Sequence, residues 1–257
     1  MGYQMCNLYP FKPRRGEAVS EGEVSYESAQ GVARITIRRP RKKNAVNQSV
    51  ARGLEQAWLR FGESEDRVAV IAGAEDFTAG IDVGAPPLNA NWAPNLAVPV
   101  RKPVIAAVEG WCIGAGMIML QQVDLCIAAS SARFRYPEAR IGLTRGFAVG
   151  LAAKVPHKIA MEILLLGRVQ SAEDMYRAGL VNRVVEPGQA QTVALDWARE
   201  IAEADPHAVS YIKAGVDETV PRGNAEHAER VRWLTEQVPA NRRLLDGGIT
   251  LAHLKRV

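Results

Sequence analysis

The chain is poor in the residues that build metal sites and disulfide frameworks. It carries three cysteines and four histidines in 257 residues. With no C-x-x-C and no histidine pair at ligand spacing, a protein-held metal is not expected. Cys6, Cys112 and Cys126 form an odd, sparse set without a secretory leader, which argues for a reducing cytosol and against a disulfide scaffold. The histidines, His157, His207, His227 and His253, are scattered and read as surface or packing residues. No apolar run approaches the ~20 residues that would cross a bilayer, so no membrane contact is expected. The opening stretch, MGYQMCNLYPFKPRRG, has no apolar h-region and does not read as a signal peptide. Cys6 also stands where a myristoylation signal requires Ser or Thr. Aromatic residues interleaved with basic ones, as in RNA-binding motifs, are missing, so nucleic acid is not an expected partner.

What is present suits a large buried core. Apolar residues make up 47% of the chain and charged residues 23%, ordinary values for a globular protein. The formal charge of +4 favours anions, phosphorylated cofactors among them. The densest basic cluster is Arg38-Arg39-Pro40-Arg41-Lys42-Lys43. By itself it reads equally well as a solvated loop.

Hydrophobic period places the elements. Val32–Ile37 alternates as a half-buried strand, and residues 48–61 carry helical spacing through Val50, Leu54, Ala57, Trp58 and Phe61. Short apolar runs at Val68–Ala72, Val104–Val108 and Leu125–Ala129 read as buried strands. Met117–Val123 is apolar on most sides and reads as a buried helix. Residues 134–146, with Pro137 and two glycines, read as a loop, and helix resumes from Ala148 and again over Ile159–Leu166. Ser171 is placed to cap a helix over Ala172–Ala178, with Glu173 and Asp174 favourable against its N-terminal dipole. Val181–Val185 reads as a short strand, and the remainder as helices over Ala194–Ala204, Ala208–Val216 and Glu226–Gln237. Alternating strands and helices followed by helices predict an α/β core with largely parallel strands and a helical C-terminal part. The expected organisation is a polar, poorly ordered extension over residues 1–22, a core over 23–190 and a helical region over 191–257.

Several blocks in a fixed order resemble the crotonase (enoyl-CoA hydratase/isomerase) superfamily. They are Arg39-Pro40 with Asn44-Ala45-Val46-Asn47; Phe77-Thr78-Ala79-Gly80-Ile81-Asp82-Val83; Lys102-Pro103-Val104-Ile105-Ala106-Ala107-Val108-Glu109-Gly110; and Gly114-Ala115-Gly116 with Asp124-Leu125-Cys126-Ile127-Ala128. Pro137-Glu138, Gly142, Gly167, Gly179-Leu180-Val181 and Lys213 follow in register. The resemblance implies a crotonase-like spiral of ββα units with a helical C-terminal region, assembling as a homotrimer or a dimer of trimers in the cytoplasm. It implies no permanently bound cofactor; a coenzyme A thioester is the substrate.

The family's shared step polarises a thioester carbonyl, and two backbone N–H groups aimed at its oxygen stabilise the enolate. One such donor is typically worth about 2.7–4 kcal/mol. By the family pattern the donors here are Ile81 and Ala115. The residues support this independently: Gly80 permits close backbone approach, and Gly114-Ala115-Gly116 opens the buried helix, whose free N–H groups and dipole favour an anion. Taken singly, these glycines could equally serve tight turns. The same pattern assigns ligand binding to Lys42, Lys43, Ala45, Ala79, Gly80, Ile81, Gly114 and Ala115, with the two lysines near the coenzyme's phosphates.

Family hydratases use two glutamates to activate and position a water. The second corresponds to Glu138, but the first position holds Ile118, which cannot transfer a proton. Losing one general acid or base typically costs about 10²- to 10⁴-fold, so the two-glutamate route is not expected. A single carboxylate suffices to move a proton between C2 and C4 of an enoyl thioester, and the family's Δ3-Δ2 enoyl-CoA isomerases resemble this layout. An apolar surround would raise the carboxyl pKa toward the useful range. Glu138 could instead be a solvated loop residue or a partner of Arg135 or Arg140. Arg145 and Phe147 replace family glycines and could line the acyl pocket, while Lys255 is a loose match to a coenzyme-contacting lysine. The alternatives are a hydratase and a family member that binds CoA or RNA without catalysis.

Overall fold

The computed structural model describes residues 23–82, 88, 90–96, 98–142 and 146–219. The expectations for residues 1–22, Arg145, the helix over residues 226–237 and Lys255 lie outside the described residues, as does the side chain of Phe147. In chain order the elements are β1 (Val24–Ala29), β2 (Val32–Ile37), α1 (Gln48–Glu63), β3 (Val68–Gly73), β4 (Val104–Val108), β5 (Trp111–Ile113), α2 (Ala115–Gln122), β6 (Leu125–Ala129), β7 (Arg133–Arg135) and α3 (Glu138–Ile141). They continue as α4 (His157–Leu166), β8 (Gln170–Ser171), α5 (Ala172–Arg177), β9 (Arg183–Val185), α6 (Ala190–Glu203) and α7 (Pro206–Thr219).

A six-stranded sheet runs in the order β1-β2-β3-β4-β6-β9, and a three-stranded sheet in the order β5-β7-β8. In the large sheet only β1–β2 is antiparallel; every later pair is parallel. That explains why β3, β4 and β6 read as continuous apolar runs: a parallel sheet is covered on both faces. One face (Val32, Val68, Val70, Ala72, Ile105, Ala107 and Ile127) packs on α6. Helix α6 presents Ala190, Ala194, Ala198 and Ala202, small residues at a spacing of four that let its backbone approach the sheet. The opposite face, through Ile35, Ile71, Ala106 and Ala128, joins Leu54, Trp58 and Phe61 of α1 and Met117 and Met119 of α2 in the main core.

Most expected elements appear within a few residues of their anticipated ends. The stretch read as a loop, residues 134–146, instead holds the end of β7 and the short helix α3. A three-residue strand carries too little pattern to read. The helix expected from Ala148 is a 3₁₀ helix over Gly146–Ala153, whose two glycines weaken an α-helix. Ser171 caps α5 as expected: its side chain accepts from the Asp174 N–H while Asp174 accepts from the Ser171 N–H, a reciprocal capping box. Among the described residues no helix is long and apolar enough to cross a membrane.

Candidate active site

Three loops are sewn together by main-chain bonds. Between the basic run and the loop after β3, the Ala79 N–H donates to Lys43 O (2.8 Å), the Val46 N–H to Gly80 O (2.7 Å) and the Asp82 N–H to Val46 O (2.9 Å). Toward β5, the Thr78 N–H donates to Trp111 O and the Ile113 N–H to Thr78 O, both at 2.9 Å. Toward β7, the Gly114 N–H donates to Arg135 O at 3.0 Å.

Two buried polar side chains that sequence reasoning passed over hold this junction. Asn44, wholly buried, accepts from the Arg39 N–H at 2.7 Å and donates to Ala74 O at 2.9 Å and to Asp76 O. Thr78, also wholly buried, donates to Asn44 O at 2.7 Å and accepts from the Gly80 N–H at 3.1 Å. Buried polar groups must be satisfied, and here that requirement fixes the path of the loop. The only sequence signal was their place inside the quoted motifs.

Val46 bridges Ile81 as in a parallel ladder, through the flanking Gly80 O and Asp82 N–H. Ile81's own N–H therefore points away from Val46. It has no partner among the described residues, and neither does the Ala115 N–H, which opens α2. The two segments lie against each other. Gly80 has φ of +93°, and a Cβ built on it would stand 3.1 Å from Ile113 O and 3.6 Å from the Ala115 nitrogen. Glycine is thus required twice over at this position, for its backbone angle and for the approach.

Glu138 completes the cluster. It is the first residue of α3, delivered by β7. A Cβ built on Gly114 (φ +51°) would stand 2.7 Å from Glu138 Oε1 and 4.0 Å from the Gly80 Cα, so the absent side chain is what lets the carboxyl group reach the start of α2. Oε2 is buried and has no hydrogen-bond partner among the described residues. Burial pushes the carboxyl pKa up to about 8, against a smaller opposing effect of its own backbone N–H. The alternatives for this residue fail: Arg135 donates to Gly167 O and Arg140 to Leu166 O. Ile118, 5% exposed, packs in the main core.

The remaining expected residues are more dispersed. Ala45 is buried and its carbonyl accepts from Arg39 at 3.0 Å. Lys42 is exposed. Lys43 is exposed too, and its ammonium lies 3.1 Å from Asp76. Asp82 anchors its loop to Arg39 at 2.7 Å. Among the described residues the arrangement offers two backbone donors without partners and a carboxyl group with one buried, unpaired oxygen. Such a set can hold an oxyanion and move a proton beside it.

A profile of the enoyl-CoA hydratase/isomerase family matches residues 27–247. An (E)-benzylidenesuccinyl-CoA hydratase of Thauera aromatica is 33% identical over 205 residues, covering 74% of this chain and 80% of that one. The enoyl-CoA hydratase EchA19 of Mycobacterium tuberculosis is 35% identical over 203 residues, covering 72% and 76%. Among solved structures, a carnitinyl-CoA dehydratase from Mycobacterium avium superposes with a TM-score of 0.78 at 30% identity, covering 86% of this chain and 93% of that one. A probable enoyl-CoA hydratase/isomerase from Mycobacterium abscessus does so with a TM-score of 0.71 at 35% identity, covering 81% and 88%.

Proposed function

The chain belongs to the enoyl-CoA hydratase/isomerase family, and within it we propose a single-glutamate enzyme of the isomerase type. In this reading the Ile81 and Ala115 N–H groups receive the thioester oxygen, and Glu138 takes a proton from one carbon of a 3-enoyl thioester. The electron pair left behind delocalises onto the oxygen as a dienolate, and Glu138 returns the proton to the other end of the unsaturated system. Lys42 and Lys43 face the coenzyme's phosphates, Lys43 exchanging its bond to Asp76 for one to phosphate. The observation that carries the reading is the Glu138 carboxyl group at Gly114, with one oxygen buried and unpaired. A carboxyl group held near pH 8 gives up and regains a proton with little driving force either way, as a shuttle requires.

Hydration is the second reading, favoured by the similar proteins named as hydratases. There Glu138 would act from its protonated form, delivering a proton to the carbon next to the thioester while water adds one carbon further on and gives its surplus proton to the Glu138 carboxylate so formed. Ile118 offers that water no base.

Opposite pH dependences separate the two. A base-initiated isomerisation needs the ionised carboxylate, so its rate climbs with pH and levels above about 8. A hydration that begins from the acid is level below that point and declines above it. Crotonyl-CoA hydration and 3-enoyl-CoA isomerisation would be followed across this range in wild type and Glu138→Gln. The variant is expected to lose about 10²- to 10⁴-fold in kcat. Equal rates in both proteins, for both reactions, would remove Glu138 from the mechanism.

A further inference from the structure

Residues 76–81 run parallel to residues 109–115, and the far ends of these two segments carry Ile81 and Ala115. The Phe77 N–H donates to Glu109 O at 2.8 Å, the Thr78 N–H to Trp111 O and the Ile113 N–H to Thr78 O, both at 2.9 Å. Thr78 and Cys112 face each other as a parallel bridge. Two residues back along such a ladder, the Trp111 N–H would donate to the Asp76 carbonyl. That carbonyl is engaged by the Asn44 amide, and the Trp111 N–H donates instead to Oδ1 of the Asp76 side chain, at 2.7 Å. A side chain closes the last rung.

The surroundings leave room for this contact and little else. The Asp76 side chain is 14% exposed. A Cβ built on Gly110 (φ +54°) would overlap Oδ1 and stand 3.1 Å from the Asp76 Cα, so the missing side chain before Trp111 is what lets the carboxylate reach the amide. Oδ2 meets the exposed ammonium of Lys43 at 3.1 Å. A pair with a solvated lysine holds little in place, whereas a carboxylate on a backbone N–H makes a short, directional bond. Toward the donors the segments touch without bonding. Gly80 lies against Ile113 O and the Ala115 nitrogen, yet among the described residues no main-chain bond joins residues 79–82 to residues 113–115. Their alignment at that end is inherited from the rungs before it.

We propose that Asp76 is a positioning residue for the oxyanion hole: its carboxylate sets the register of the two segments and so the separation of the Ile81 and Ala115 N–H groups. Ile81 lies five residues past Asp76, and Ala115 four past Trp111. A misplacement of about 1 Å in a reacting geometry can cost roughly 10²-fold in rate, so a rung lost at one end is felt at the other. The inference rests on the reading of Ile81 and Ala115 as oxyanion donors, and it is independent of which reaction Glu138 serves.

The test reads the bound carbonyl itself. Hexanoyl-CoA labelled with ¹³C at the thioester carbonyl would be bound to wild type, Asp76→Ala and Asp76→Asn, with saturation checked by calorimetry, and followed by difference infrared spectroscopy. Hydrogen bonds to the oxygen lower its stretching frequency, so wild type is expected to show a band below that of the free thioester. Asp76→Ala should return the band toward the free value and lower kcat by about 10- to 100-fold, while the Kd of hexanoyl-CoA changes far less. Asp76→Asn keeps an acceptor for the Trp111 N–H but no charge for Lys43, and should restore the wild-type band and kcat. If Asp76→Ala does not fold, Asp76→Ser, whose side chain is too short for the same rung, is read in its place with the same expectation. A band that stays at the wild-type position in the Ala or Ser variant overturns the proposal, because an anchor serving the fold alone would lower the unfolding midpoint and leave the carbonyl unmoved. So does an Asp76→Asn that behaves like Asp76→Ala, which would assign the effect to the charge beside Lys43. A wild-type band at the free frequency, with the thioester bound, would sink the oxyanion assignment and this proposal with it.

Discussion

A carboxylate stands near each end of α2, Asp124 just past its last residue and Glu138 of α3 beside its start, and their surroundings are opposites. At the C-terminal end Asp124 is fully engaged. Its Oδ2 accepts from the Val104 N–H at 2.7 Å and its Oδ1 meets the ammonium of Lys213, a side chain 7% exposed, from α7. At the N-terminal end, among the described residues, Glu138 Oε2 has no partner and neither do the Ile81 and Ala115 N–H groups. Asp124 is tied on both oxygens, whereas Glu138 keeps one oxygen that no described residue answers. It is at this second end of the helix that the proposed reading puts the chemistry.

The comparison can be attacked at its stable end first. Lys213→Met should destabilise the fold by about 3 kcal/mol, the low end for breaking a buried pair because Asp124 is about a quarter exposed. Urea unfolding would read this loss, and the pH midpoint of turnover should stay where wild type has it. A displaced midpoint would mean the two ends are coupled.

At the other end the expected sign is reversed. Glu138 has its pKa raised from 4.5 to about 8, so the folded state holds a proton that the unfolded chain has released. Between those two pH values stability falls as pH rises, because the native state binds more protons. Glu138→Gln removes that cost. It should therefore be more stable than wild type at pH 8, on the order of a few kcal/mol, and equal to it near pH 4. Thermal or urea midpoints at the two pH values decide it; a variant that is less stable at pH 8 would mean the carboxyl group serves architecture after all.

The smallest effect sharpens the contrast. Ser171 pairs with Arg133 of β7, the strand that delivers Glu138, and caps α5. Ser171→Ala should cost about 1 kcal/mol with kcat unchanged, since the cap supports the strand from outside the junction of loops. A fall in kcat larger than the stability loss would show that the cap also sets the position of Glu138.

Much of this was legible beforehand. Alternation marked β2, apolar runs marked β3, β4 and β6, and Ser171 announced its cap. Gly80 was marked as a place of close backbone approach, and Gly114 as part of the turn that opens a buried helix. The motif order pointed to Ile81, Ala115 and Glu138, whose segments the fold brings together. The small sheet was not legible, because β5, β7 and β8 are two or three residues long and their pairings join distant segments. Nor were the roles of Asn44 and Thr78, whose motif places do not tell what they bond.

The sequence by itself determined where strands and helices form, because period and backbone freedom are local properties of the residues. Only the tertiary structure decided which polar atoms would be answered. Lys213 reaches Asp124 across 89 residues, while Glu138 and Gln121 are each left with an oxygen that no described residue meets. A side chain's desolvation and its supply of partners belong to whatever the fold packs around it, and no stretch of chain carries that information alone.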